Sequence, residues 1–249
     1  MASPTPQQLY VHEMCPSYIS SLIGFLITLI VIPLYLYIYK QQKLIFQNAY
    51  FVQFLLLLGV AYLFLFSIIL CYLDSAIHYT ILFQSSPYVI CFCSTFILSL
   101  NFFIIYNYKQ ILCKFILIYM LMFLIFLAPI ICFYVNPGKF NYLVQHPYMN
   151  NMYLYIYYLI INTLCLCFFS CTYNTYTKMF CLTMFITFII WNVNTFAFNL
   201  YTHLYLAPSV GYTFIFCYFI PLITQDYKQK VVTMFYQFYG APPPSTLSI

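Results

Sequence analysis

Residues Ser94–Ile111 read STFILSLNFFIIYNYKQI. The stretch is largely apolar, carries one amide (Asn101) in its interior, and ends in Tyr106, Asn107, Tyr108 and Lys109. An apolar run that stops abruptly at a polar, basic cluster reads as a membrane span whose exit is marked by the charge. A helix needs about 20 such residues to cross a hydrocarbon core of about 30 Å.

The composition supports this reading along the whole chain. Of 249 residues, 65% are hydrophobic and 4% charged, and the mean hydropathy is +0.92. A soluble domain carries roughly 25% charged residues, so eight lysines and three acids are too few to solvate a soluble surface of this size. A transmembrane barrel would show alternating segments of about 10 residues, whereas these runs are longer and apolar all round. The fold class is therefore all-α integral membrane. We read a bundle of seven transmembrane helices with the N-terminus outside and the C-terminus cytoplasmic. The spans fall at about 18–39, 48–73, 88–106, 115–135, 152–173, 179–198 and 204–224. Residues 1–17 form an extracellular N-terminus, and 225–249 a cytoplasmic tail.

The lysines set the orientation. With seven spans, Lys40, Lys43, Lys109, Lys114, Lys178, Lys228 and Lys230 lie on one side and Lys139 alone on the other. Short loops rich in lysine stay in the cytoplasm. Without the seventh span, Lys228 and Lys230 would change sides. Pro33, Pro129, Pro208 and Pro221 are candidate kinks, and Asp74 to Pro87 reads as a short connection. Asn136-Pro137-Gly138 is a turn signal. In the tail, Val231, Val232, Phe235 and Phe238 share a face at helical spacing beside Lys228 and Lys230. That pattern suits an amphipathic helix in the inner interface. The N-terminus lacks the basic and small-residue marks of a signal peptide.

Several chemistries are disfavoured. No charged residue lies firmly within a span, which counts against an ion or proton pathway. No nucleophile, histidine and acid share one membrane depth, so no enzyme is expected. A net charge of +5 spread this thinly makes no nucleic-acid surface. Most of the eleven cysteines, among them Cys91, Cys93, Cys181 and Cys217, sit inside apolar runs and read as small hydrophobes. His12, His78, His146 and His203 match no metal-ligand spacing, so neither metal nor cofactor is expected.

What remains is the placement of polar residues within the spans. Apolar helices have no hydrophobic reason to associate in lipid, so small and polar side chains help to hold them together. Asn192, Thr195 and Asn199 lie at i, i+3 and i+7 and form one stripe. The stripe reads either as interhelical packing or as the lining of a pocket, and Trp191 lies beside it. A pocket in the outer half of the bundle would draw on Ser94 and Thr95, Tyr155 and Tyr157, Trp191, Asn194 and Asn199, and Tyr212 and Thr213. Such a set suits a small, largely apolar ligand held by a few hydrogen bonds.

A resemblance adds to this. Leu100-Asn101-Phe102-Phe103, then Ile105 and Tyr108-Lys109-Gln110-Ile111, resemble the end of the third span in nematode chemoreceptors of the serpentine receptor class gamma family and its close relatives. Ile32-Pro33-Leu34-Tyr35 and Phe46-Gln47-Asn48-Ala49-Tyr50-Phe51 also resemble that family's first span and the start of its second. Phe102 stands where the family has arginine. The resemblance implies a G-protein-coupled-receptor-like protein of the plasma membrane. Its inner face (Asn101, Phe102, Tyr106, Tyr108, Lys109, Lys178, Lys228 and Lys230) would meet a heterotrimeric G protein. The expected function is a chemosensory receptor for a small molecule, and the alternative is a seven-helix transporter or a non-signalling accessory membrane protein.

Overall fold

In lipid the backbone has no water to bond to, so a spanning segment satisfies its own N–H and C=O groups by forming a helix. The computed structural model follows that rule. It describes residues 6–41, 49–72, 77–108, 112–134, 164, 175–197 and 202–224, and no strand occurs among them. The helices are α1 (Pro6–Gln41), α2 (Tyr50–Tyr72), α3 (Ile77–Tyr108), α4 (Lys114–Tyr134), α5 (Thr175–Ala197) and α6 (Thr202–Phe214). A π-turn at Ile215–Phe219 continues α6 directly, and 220–224 return to α winding.

Four segments are long and apolar enough to cross a membrane: Pro16–Ile38, Tyr50–Ile69, Ser86–Ile105 and Leu206–Thr224. Shorter apolar stretches occupy Lys114–Ile125 in α4 and Lys178–Val193 in α5. This is the architecture of a multi-pass membrane protein. The outward faces agree with it. Ile19, Ile23, Leu26 and Ile30 on α1, Phe115 and Phe123 on α4, and Leu182, Phe185 and Val193 on α5 are all exposed. Contiguous apolar faces of this kind are rare on soluble monomers.

α1 lies at the edge and α3 near the centre: 28% of the α1 span is buried against 67% of the α3 span. Within 16–38, the part of α1 whose side chains are described, the buried residues are Ser17, Ser21, Gly24, Thr28, Val31 and Tyr35. They are spaced alternately four and three apart, the seam of a left-handed helix pair. Most are small, so α1 can approach its neighbours closely, as association in lipid requires.

α2 is the hub, packed against α1, α3 and α6, while α4 lies on α3 and α5 on α6. Contacts fix the helix directions. Tyr35 meets Gln53 and Ser21 meets Ser67, so α1 and α2 are antiparallel. Ser86 meets Tyr62, and Gly59 lies on Cys91, so α3 runs against α2. α6 runs with α1, because Tyr212 meets Ser20 and Phe219 meets Tyr35. α5 runs with α2: Phe180 lies beside Tyr218 near one end, and Trp191 beside Tyr88 near the other.

Two helices begin earlier than their hydropathy suggests. α1 starts at Pro6 and passes through Pro16, and α3 starts at Ile77 and passes through Pro87. The stretch from Asp74 to Pro87, expected as a connection, is thus helical from Ile77 onward. Proline's fixed φ suits a helix, and its cost is one lost N–H bond and a clash one turn back. Membrane helices accommodate that cost through local adjustment. The last span, with Pro208, Gly211 and Pro221 in its sequence, is one continuous helical segment. The fifth expected span, 152–173, apart from Leu164, and the turn at Asn136–Gly138 and the tail helix lie outside the described residues.

Candidate functional site

Three helices converge on Gln53. It is the one amide side chain of α2 and is buried. Its Oε1 accepts a hydrogen bond from Tyr35 Oη of α1 at 2.5 Å, and its Nε2 donates to Tyr218 Oη at 3.2 Å. Tyr35 and Tyr218 are themselves buried. The chain Tyr35–Gln53–Tyr218 therefore ties α1, α2 and the π-turn together away from water. Interhelical bonds of this kind contribute on average about 0.6 kcal/mol in membrane proteins, and up to about 1.7.

Aromatic rings enclose this clasp. Tyr50 stacks on Tyr35 at 5.6 Å between centroids, and Phe219 meets Tyr35 edge-on at 6.1 Å. Phe180 of α5 meets Tyr218 edge-on at 5.0 Å. α5 thus joins the cluster, and the rings shield the amide. In chain position the cluster lies close to Lys40 on α1 and to the exposed Lys178 on α5.

The π-turn has a local cause. In α winding, Pro221 would give no N–H to the Cys217 carbonyl and would press its ring against it. The helix widens just before this point, and Ile220 N–H bonds Ile215 O instead. Ile215, Tyr218 and Phe219 are thereby buried together.

A second cluster lies towards the other end of the bundle. Trp191 packs edge-on against Tyr88 at 5.2 Å and Phe92 at 5.9 Å. Ser94 and Thr95 follow on α3, both fully buried. Thr95 Oγ1 donates to Phe92 O, one turn back on the same helix, at 2.8 Å. Ser94 Oγ is buried and has no hydrogen-bond partner among the described residues.

The expected pocket residues divide between two places. Trp191 packs against α3, the helix that carries Ser94 and Thr95. Tyr212 is tied to α1 and α2, donating from Oη to Ser20 O at 2.6 Å and meeting Phe64 edge-on at 5.1 Å. Thr213 is buried and donates to Ser209 O of its own helix at 2.8 Å. Tyr155, Tyr157 and Asn199 lie outside the described residues, as does the side chain of Asn194. Of the expected polar stripe, Asn192 is half-buried and donates to Phe188 O one turn back, at 2.7 Å.

The expected transducer residues also divide. Asn101 and Phe102 are buried in the bundle, while Tyr108 and Lys178 are exposed. Asn107, also exposed, closes the end of α3 by donating to Phe103 O at 3.0 Å. The side chain of Tyr106, and Lys109, Lys228 and Lys230, lie outside the described residues. Among the described residues, no three His, Cys, Asp or Glu side chains gather where a metal could sit. Cys91 and Cys93 are buried among apolar neighbours, as small hydrophobes.

Sequence reasoning passed over Gln53, Tyr35 and Tyr218. A usable signal existed for Gln53, the one amide well inside the second expected span. None existed for the two tyrosines, because tyrosine is spread through the whole chain. No protein-family model matches this sequence, and no curated protein matches it.

Proposed function

We propose that this chain is a seven-span receptor of the serpentine chemosensory type. A small molecule binds in the half of the bundle that holds Trp191, Ser94 and Thr95. The opposite, lysine-bearing half meets a cytoplasmic transducer such as a heterotrimeric G protein.

The observation that supports the seven-span part of this reading is the alternation of helix direction. α3 and α5 run in opposite directions, so the number of crossings between them is even. If α4 crosses, one further crossing is needed before α5, and we assign it to the apolar run 152–173 of the sequence. The count is then seven, which leaves the two termini on opposite sides. The lysine distribution supports an outer N-terminus. Ligand binding favours one of two packings of the helices and so reaches the inner face.

Epitope tags on both termini test the topology in intact and permeabilised cells. The N-terminal tag is expected to be reached in intact cells and the C-terminal tag only after permeabilisation. Both tags on one side would sink the seven-span reading. Function is tested by screening small apolar odorants for calcium or cAMP responses in cells expressing the chain. A ligand response that is lost in Trp191→Ala is expected. Solute flux without any such response would favour the transporter reading instead.

A further inference from the structure

The last helix holds two unusual features within seven residues: a π-turn at Ile215–Phe219 and a proline at 221. π-turns are rare and frequently occur at functional positions. Here the turn also carries the only described residue of the last helix that bonds to Gln53, namely Tyr218. We propose that Ile215–Phe219 is a switchable joint that moves between this π register and an α register, with Gln53 as the clasp that holds the π register.

Two opposed terms make the segment bistable. The α register has the more regular backbone bonding, but it sets the Pro221 ring against the Cys217 carbonyl. The π register relieves that clash through the wider Ile220 N–H to Ile215 O bond. It also depends on side-chain contacts. Tyr218 Oη accepts from Gln53 at 3.2 Å, Phe180 lies on the Tyr218 ring at 5.0 Å, and Phe219 lies on Tyr35 at 6.1 Å.

Going from π to α winding removes one residue from the turn. That rotates 220–224 by roughly 100° relative to 206–214 and carries Tyr218 away from Gln53. The displaced amide would then have only Tyr35 as its partner in this network. Phe64 wedges between α1 and α6 above the joint, so 206–214 stay fixed while the lower end turns. No ligand or transducer enters this account, so a receptor and a transporter would both possess the joint.

Hydrogen–deuterium exchange of the full-length protein in lipid nanodiscs tests it, read on peptides covering 206–213 and 214–224. Tyr218→Phe keeps the ring and removes the hydroxyl, and Gln53→Leu removes the clasp from the other side. Each is expected to speed exchange across 214–224 by up to about tenfold, matching the loss of one interhelical hydrogen bond, and to leave 206–213 unchanged. Pro221→Ala removes the clash that favours the π register and restores an N–H, and is expected to slow exchange across 214–224. Unchanged exchange in both clasp variants would overturn the joint. So would a uniform rise through α2, α3 and α6, or faster exchange in Pro221→Ala.

Discussion

The same three helices, α1, α2 and α6 with its continuation, are joined twice, by opposite means. Towards one end the join is made by shape. Phe64 of α2 is fully buried and lies against Gly24 of α1 and Gly211 of α6. A Cβ on Gly24 would overlap the ring, and one on Gly211 would come within 2.6 Å of its tip. Ser21 and Ser67 add a 2.8 Å hydrogen bond, and Tyr212 donates to Ser20 O. Towards the other end the join is made by polarity, through Tyr35, Gln53 and Tyr218. Close packing in a protein interior is not continuously deformable. A hydrogen-bonded clasp, by contrast, can open at the cost of one or two bonds. The first join can anchor the bundle, and the second can let go.

The largest effect should come from removing the anchor. Phe64→Ala leaves a cavity between two glycines that cannot fill it. A loss of about 3–5 kcal/mol is expected, measured by thermal or denaturant unfolding in detergent. A loss under about 1 kcal/mol would mean that the ring is not the wedge. Gly211→Ala attacks the same point by crowding. Phe64 cannot retreat because Gly24 backs it on the other side, so about 1–3 kcal/mol of overpacking is expected. A neutral result would show that the helices can separate there at little cost.

The clasp should be weaker. Gln53→Leu keeps the bulk and deletes the two hydrogen bonds that link it to Tyr35 and Tyr218. About 1–2 kcal/mol is expected from the membrane scale for such bonds. A larger loss than in Phe64→Ala would reverse the ranking of the two joins. Smallest of all should be a change on the lipid face. Phe123 on α4 is 65% exposed, and Phe123→Leu should stay within about 0.5 kcal/mol. A large effect there would show that this face packs against protein rather than lipid.

The sequence made the bundle class readable because hydropathy acts over twenty residues at a time. Tyr50–Ile69, Ser86–Ile105 and Leu206–Thr224 lie within a few residues of the expected second, third and seventh spans. The helical ends beyond the membrane were not readable. Proline normally signals a boundary, yet α1 passes Pro16 and α3 passes Pro87. The site was harder to read, because helix rotation is set by neighbours and not by local pattern. Tyr212, read from the sequence as a pocket residue, has its hydroxyl on Ser20 O and its ring against Phe64, contacts that no pattern around Tyr212 signals. The α1 seam of Ser17, Ser21, Gly24, Thr28, Val31 and Tyr35 is visible in the sequence as a small-residue heptad, and it predicts α1's buried face once that period is sought. The π-turn leaves only Pro221 as its trace, and a proline alone does not distinguish a widened turn from a kink.

A double-mutant cycle on unfolding stability tests most directly whether the two joins are separate and whether the clasp acts as one unit. Tyr35→Phe and Tyr218→Phe remove the two hydroxyls that share Gln53. They should be coupled by about 0.5 kcal/mol or more, as expected for residues in one network. Tyr212→Phe and Tyr218→Phe lie on the same helix but in different joins, and their effects should add. Additivity in the first pair, or coupling of similar size in the second, would contradict a separable anchor and clasp.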